Sequence, residues 1–314
     1  MTARPADRAL RLGTRRSKLA MTQSGHVADM IRALGREVEL IEIVSEGDRT
    51  QEAGTPITAS TPTGVYVSAL RDALLAGEID LAVHSLKDLP TYPYDGVTLA
   101  AIPPREDPRD VVVARDGLTL GELPAGARVG TGSPRRAAQL HALGLGLAIS
   151  GVRGNVDTRI GKVTSGEFDA VVLARAGMAR IERLDEITEV LDPIQVLPAP
   201  GQGALAIECR SDDAELIALL GGLDDAPTRA AVTAERQVLA TLEGGCAAPI
   251  GALGEVVEGE DAAELWLRAV VLSDDGAVAI RRSASGPVGN AVGLGERLAQ
   301  EMLADGADQL RAGQ

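Results

Sequence analysis

Aromatic side chains are almost missing from this 314-residue chain: one Trp, three Tyr and one Phe, 2% of the residues. A protein that grips single-stranded nucleic acid stacks bases on such rings, and Trp266, Tyr66, Tyr92, Tyr94 and Phe168 are too few to build that platform. Cysteine is nearly absent too. Cys209 and Cys246 cannot make a disulfide-stapled scaffold, and with His26, His84 and His141 they form no zinc-ligand spacing, so no metal is expected. No apolar run approaches the roughly 18 residues of a membrane-spanning helix, and the N-terminal MTARPADRALRLGTRRSK lacks the apolar core of a signal peptide. The expectation is a cytoplasmic protein with neither a membrane nor a nucleic-acid partner. What remains is ordinary for a folded chain, 45% apolar and 24% charged, and the length suits two or three domains better than one core.

Charge of one sign dominates, but unevenly. The net charge is −14, yet from Arg128 to Arg180 eight basic residues face three acidic ones, a local charge of +5. Seven of the eight are arginine, whose planar fork matches a carboxylate or phosphate in two-point contact. A solvated basic face has the same composition. Here, however, the arginines stand beside glycines at strand-to-helix junctions, the pattern of a pocket for a small anion.

Short apolar runs alternate with helix-period segments. Strands are expected at Leu10–Gly13, Val38–Val44, Asp80–His84, Val97–Ile102, Asp110–Ala114, Arg128–Thr131, Leu147–Gly151, Asp169–Ala174 and Ala204–Cys209. Helices are expected near Ser17–Leu34, Val65–Ala76, Pro134–Leu143 and Val156–Ser165. Such alternation predicts βαβ units and parallel-rich sheets covered by helices. After Pro227 the pattern becomes a helix (Thr228–Leu242), a Gly-rich turn, two strands (Glu264–Leu272 and Ala277–Ser285) and a last helix (Gly293–Ala312), a small α+β domain. Pro103-Pro104 and Pro198-Ala-Pro200 are the expected crossings between two α/β lobes. No internal repeat is evident.

Several short segments have the make-up of a site. In VGTGSPRR, Val129 to Arg136, a strand ends in glycines, Ser133 is placed to cap a helix, Pro134 takes its first position, and Arg135 and Arg136 follow. It lacks the third glycine of a dinucleotide fingerprint and the Gly-Lys-Ser/Thr of a P-loop, which speaks against a nucleotide-dependent oxidoreductase. GVRGNVDTR repeats the arrangement with Arg153 and Arg159, and GTRRS does so near the start with Arg15 and Ser17. AVHSLKDLP places Lys87 and Asp88 just past a buried-looking strand, where α/β folds put ligand-binding residues, although a surface turn has the same composition and His84 reads as a core histidine. In LEGGCAAPIG, Cys246 follows two glycines, a place for an exposed nucleophile if cations lie near, or for an ordinary small apolar residue.

Taken in order, GTRRSKLA, AVHSLKDLPT, REDPRD, VGTGSPRR, RGNVDTR, LPAPGQGALAIECR, LEGGCAAPIGA and the late ELWLRA closely resemble the hydroxymethylbilane synthase (porphobilinogen deaminase) family. The resemblance runs from about Leu10 into the C-terminal region. It implies two periplasmic-binding-protein-like (type II) α/β domains with a central cleft plus a small C-terminal α+β domain: residues 1–103 with 200–222, residues 104–199, and residues 223–314. It implies a transferase that joins four porphobilinogen molecules head to tail, releases four ammonia and hydrolyses the product to hydroxymethylbilane. The work is done on a covalent dipyrromethane cofactor, one per chain, in thioether linkage to Cys246, in a monomer. Asp88 matches the catalytic aspartate of the family; Arg15, Ser17, Lys87, Thr131, Ser133, Arg135, Arg136, Arg153, Arg159 and Arg180 match the groups that hold acetate and propionate side chains. Gln202 and Tyr66 are expected near the cleft.

The chemistry of the residues agrees. A growing chain of dicarboxylate rings accounts for arginines in an acidic protein, and a fixed carboxylate at Asp88 suits the cation left when ammonia departs, with arginine surroundings expected to favour its ionised form. One segment departs: Ser60 to Leu70 reads STPTGVYVSAL where many members carry GGKGLFxKEL, and a mobile flap is expected there. A non-catalytic two-lobed binding protein for a small anion uses the same arginines but needs neither Asp88 nor Cys246.

Overall fold

The computed structural model describes residues 8–44, 65–242, 249–259 and 262–310. The chain divides into two compact units, residues 1–105 with 205–225, and residues 106–204 with 226–314. It begins in the first unit with strands β1 (Leu10–Thr14), β2 (Val38–Glu42), β3 (Leu81–Ser85) and β4 (Val97–Ala101). In the second unit it lays down β5 (Asp110–Ala114), β6 (Arg128–Gly130), β7 (Ala148–Ser150), β8 (Ala170–Ala174) and β9 (Glu189–Val190). It then returns to the first unit with β10 (Leu205–Arg210) and ends in the second with β11 (Ile250–Val257), β12 (Glu264–Leu272) and β13 (Ala279–Pro287).

Each unit is built on a five-stranded sheet, in the orders β2-β1-β3-β10-β4 and β7-β6-β8-β5-β9. In each, three strands are parallel, and the fourth in the order runs antiparallel to both its neighbours. That antiparallel strand, β10 or β5, is the first laid down after the chain changes unit. The fold is thus two α/β domains of one shared topology, followed by a small α+β domain.

The helices cover these sheets as their apolar spacing dictates. Helix α1 (Lys18–Ala33) buries Gln23, Ser24, Val27, Ala28 and Ile31 on one face, and Ser17 caps it by accepting the Ala20 N–H at 3.3 Å. Helix α2 (Val65–Leu75) places Leu70 and Leu74 in a core with Ile79. The flap expected over Ser60 to Leu70 is therefore not one from residue 65 onward: Val67 and Leu70 are locked in a helix by burial. Residues 60–64 and the Tyr66 side chain lie outside the described residues. In the second unit, α3 (Pro134–Ala142) and α4 (Val156–Thr164) follow β6 and β7, and α5 (Arg175–Arg180) follows β8.

The two sheets also correct the reading that no internal repeat exists. β1 and β6 hold the same place in the order and carry Arg11-Leu12-Gly13-Thr14 and Arg128-Val129-Gly130-Thr131, each followed by a capping serine, Ser17 or Ser133. Asp80 and Asp169 precede the equivalent strands β3 and β8. Each donates its N–H to the carbonyl of Arg11 or Arg128 at 2.8 Å. Each carboxylate accepts the same arginine's backbone N–H, at 2.9 and 2.7 Å. Five matching residues separated by loops of different length are too short a signal to register as a repeat in one sequence.

After α6 (Ala214–Gly221), the small domain packs α7 (Ala226–Thr241) and α8 (Ala291–Ala304) on a three-stranded sheet, β11-β12-β13. Its strand β11 was not expected, because the segment up to Gly251 reads as a Gly-rich turn; Gly251 and Gly254 both lie in the strand. They are there for close approach: an added Cβ would lie 2.9 Å from Leu197 on one face and 2.8 Å from the Ala231 carbonyl on the other. Both faces are covered, so no apolar–polar alternation appears. Ala138 and Leu197 complete a core with Leu253, Val270 and Leu272, which joins the small domain to α3. Fully buried Glu235 of α7 adds two backbone clamps, accepting the Gly201 N–H at 2.6 Å and the Gly254 N–H at 2.8 Å.

The outgoing and returning segments meet at Gly203. The Glu106 N–H donates to the Gly203 carbonyl at 3.3 Å, and Arg180 Nη2 reaches the same oxygen at 2.6 Å. Gly203 sits at φ +88°, and a Cβ there would fall 2.3 Å from the Glu106 carbonyl oxygen, so only glycine fits.

Candidate functional site

The two arginine-bearing loops of the second unit come together at the C-terminal ends of β6 and β7. The Thr131 N–H donates to the Ser150 carbonyl at 3.0 Å, and a Cβ on Gly132 would lie 2.8 Å from the Val152 carbonyl and 4.0 Å from Arg159 Nη2. Each loop opens a helix. Thr131 Oγ1 accepts the Ser133 N–H at 3.2 Å, Ser133 Oγ accepts the Arg136 N–H at 3.4 Å, and Asn155 Oδ1 accepts the Thr158 N–H at 2.8 Å. Two helix N-termini, each a source of partial positive charge, therefore adjoin the same arginines.

Arg135 and Arg136 point inward, at 4% and 6% exposure. Their shared anchor is Asp110, fully buried at the head of β5. Arg135 Nη2 donates to Asp110 Oδ2 and Arg136 Nη2 to Oδ1, both at 2.8 Å. Their Nη1 atoms donate to backbone, to the Leu197 carbonyl at 2.5 Å and the Val172 carbonyl at 3.0 Å. Gln202 Nε2 closes the cluster, 2.7 Å from Asp110 Oδ1 and 2.7 Å from the Pro108 carbonyl. Gln202, expected near the cleft, is 1% exposed and bridges Asp110 and Pro108.

The charges at this corner do not balance. Burial alone would raise the Asp110 carboxyl. The charges of Arg135 and Arg136, with hydrogen bonds from Arg136 and Gln202, override it and hold Asp110 well below the usual carboxylate range. Burial lowers the pKa of Arg135 against the pull of Asp110. It lowers that of Arg159 as well, and there the nearby charge of Arg136 adds to the effect. Arg159 donates from Nε to the Gly154 carbonyl at 2.8 Å and has no carboxylate partner among the described residues. Asp110 is thus paired with two of these three guanidiniums, Arg159 has no carboxylate partner among the described residues, and the buried Nε atoms of Arg135 and Arg136 have no hydrogen-bond partner. Orphaned donors and surplus positive charge fit an anionic ligand, and the carboxylates of a pyrrole cofactor are such a group. Arg153 is exposed on the same loop. Arg180 is half-buried at Gly203, its pKa lowered by burial against Glu106.

In the first unit, Arg15 is half-buried and Ser17 caps α1. Ser85 ends β3 and accepts a hydrogen bond from Gln23 Nε2 at 3.1 Å. The single 3₁₀ turn Leu86–Asp88 follows, with Leu86 fully buried, Lys87 half-buried and Asp88 exposed. Asp88 makes no ion pair or side-chain hydrogen bond among the described residues. His84 is a core residue, 3.2 Å from Glu208 Oε2 without the alignment of a hydrogen bond. Arg71 Nη2 meets Glu208 Oε1 at 2.7 Å and lies over the Tyr94 ring at 4.8 Å. Burial would raise Glu208; His84 and Arg71 lower it to about 2. Cys209 is buried in the first unit's core, while Cys246 lies outside the described residues.

Asp110 is the functional candidate that sequence reading missed. Its signal was present: a carboxylate heading the otherwise apolar DVVVA strand, in a chain with an arginine pair looking for a counter-charge. Among the described residues, no group of three or more His, Cys, Asp or Glu is placed to hold a metal, and no helix is long and apolar enough to cross a membrane.

Two family models match the chain: "porphobilinogen deaminase, dipyromethane cofactor binding domain" over residues 10–218, and "porphobilinogen deaminase, C-terminal domain" over residues 229–304. The chain belongs to the porphobilinogen deaminase family. It is 58% identical over 311 residues to porphobilinogen deaminase 1 of Streptomyces coelicolor, covering 96% of this chain and 97% of that one. It is 57% identical over 309 residues to porphobilinogen deaminase of Mycobacterium tuberculosis, covering 97% and 99%. Among solved structures, a nutrient-binding protein of Burkholderia cenocepacia bound to methionine is similar at TM-score 0.42 and 14% identity, over 68% of this chain and 90% of that one. Membership of the porphobilinogen deaminase family places a dipyrromethane-binding function in the region that contains both sheets.

Proposed function

We propose that this chain is a working hydroxymethylbilane synthase. It condenses four porphobilinogen molecules head to tail with release of four ammonia, then hydrolyses the product to hydroxymethylbilane, acting as a cytoplasmic monomer. Bound through a thioether at Cys246, the dipyrromethane supplies the pyrrole end from which the chain is extended. Arg136 and Arg159, with Thr131, Ser133 and Arg135 at the same corner, take carboxylates of the pyrrole side chains; Arg153, Arg180, Arg15, Ser17 and Lys87 take others. Because these carboxylates stay ionised throughout, the contacts serve binding and alignment rather than bond breaking. Asp88 is exposed on a single 3₁₀ turn and makes no ion pair among the described residues. It stabilises the cation left on porphobilinogen as ammonia departs and then accepts the ring proton after the new bond forms.

The observation that supports this reading most strongly is the surplus of guanidinium over carboxylate where the two loops meet. Purified protein supplied with porphobilinogen alone is expected to release four ammonia for each hydroxymethylbilane formed. Saturable binding of porphobilinogen without ammonia release would overturn the reading in favour of an anion-binding protein.

A further inference from the structure

We infer that Asp110 is a positioning residue for the arginine corner: it fixes where the guanidiniums of Arg135 and Arg136 point, and Gln202 ties it to the returning segment. The inference rests on the function proposed above. The geometry is that of one carboxylate with each oxygen committed. Oδ2 takes Arg135 and Oδ1 takes both Arg136 and Gln202, in a site with no exposure at all. An arginine has many rotamers, and two like-charged ones side by side repel. Asp110 selects one arrangement in which the Nη groups are used internally and the two buried Nε–H groups are left without a hydrogen-bond partner. Gln202 also donates to the Pro108 carbonyl, so Asp110 is braced by both the outgoing and the returning segments.

Charge and aim can be separated, because they predict opposite signs. Asp110→Asn keeps the shape and raises the positive charge of the corner by one. If only attraction mattered, porphobilinogen would bind more tightly. The asparagine, however, offers one acceptor oxygen and turns its NH2 toward the other arginine, so one guanidinium loses its aim. Asp80→Asn is the stability control: Asp80 is equally buried and ion-paired with Arg8 and Arg11, but it lies at the opposite end of the first unit's strands.

The readouts, on purified holoenzyme, are the fraction of molecules carrying cofactor mass, KM for porphobilinogen and the urea midpoint. Asp110→Asn is expected to leave part of the protein without cofactor and to raise KM about tenfold or more, the range seen when the group orienting a ligating side chain is removed at metal sites. Asp80→Asn is expected to lower the urea midpoint and leave occupancy and KM unchanged. Full occupancy with an unchanged or lower KM in Asp110→Asn would overturn the inference. Should Asp110→Asn not accumulate as folded protein, Gln202→Leu decides: a raised KM supports the role and an unchanged KM overturns it. Absence of both cofactor and turnover in the unmodified protein would overturn the proposed function itself, a separate result.

Discussion

Arg159 is expected to behave as a residue kept for binding at no gain in stability. In Arg159→Met the stem keeps its length while the guanidinium is lost. Among the described residues that guanidinium makes one hydrogen bond, to the Gly154 carbonyl at 2.8 Å, and it lies half-buried near the cation of Arg136. Losing a hydrogen bond costs about 0.5–1.5 kcal/mol, and removing an uncompensated buried charge gives back a comparable amount. The net change in unfolding free energy is therefore within about 1 kcal/mol of zero. Binding should respond differently. A charge-assisted hydrogen bond to a ligand carboxylate is worth about 1.5–3 kcal/mol, or roughly 10- to 150-fold in affinity. Urea unfolding followed by circular dichroism gives the first quantity and KM for porphobilinogen the second. A variant that loses more than about 3 kcal/mol of stability and binds porphobilinogen normally would show that Arg159 is a structural pin.

Gly203→Ala combines a left-handed backbone with a Cβ 2.3 Å from the Glu106 carbonyl. It should lower stability by about 2 kcal/mol or more, read as a shift in urea midpoint at constant slope. Glu208 gives a pH signature. Its pKa falls from 4.5 to about 2 on folding, so its contribution is complete above pH 4.5 and is lost as pH falls toward 2. The stability gap between the unmodified protein and Glu208→Gln should narrow by about 3 kcal/mol across that window, and a constant gap would contradict the assignment. Asp88→Asn is expected to fold and carry cofactor normally while losing most turnover, about 100-fold or more for a group that acts on both charge and proton. Near-normal rates would remove Asp88 from the chemistry.

Much of this was legible in the residues, for identifiable reasons. The β5 strand, Asp110–Ala114, and the β12 strand, Glu264–Leu272, fall where apolar runs bounded by turn residues put them. The α3 and α4 starts fall where Ser133-Pro134 and Asn155 signal caps. The arginine loops were recognisable because their glycines and capping residues are local features. What local features do not encode is pairing at a distance. Asp110 lies 25 residues from Arg135 in the chain, so its role emerged only from the fold. Nor was it visible locally that Gln202 is buried between Pro108 and Asp110 and braces both. Gly251 and Gly254 hid β11, since a glycine required for close packing and one required for a turn are the same letter.

The central claim is that the arginine corner serves a carboxylate-bearing pyrrole cofactor attached through Cys246. Intact mass spectrometry of the purified protein tests it most directly. The account predicts a mass above that of the polypeptide by one dipyrromethane, missing in Cys246→Ser and reduced in occupancy in Arg159→Met. A protein that turns over porphobilinogen at the bare polypeptide mass would contradict it.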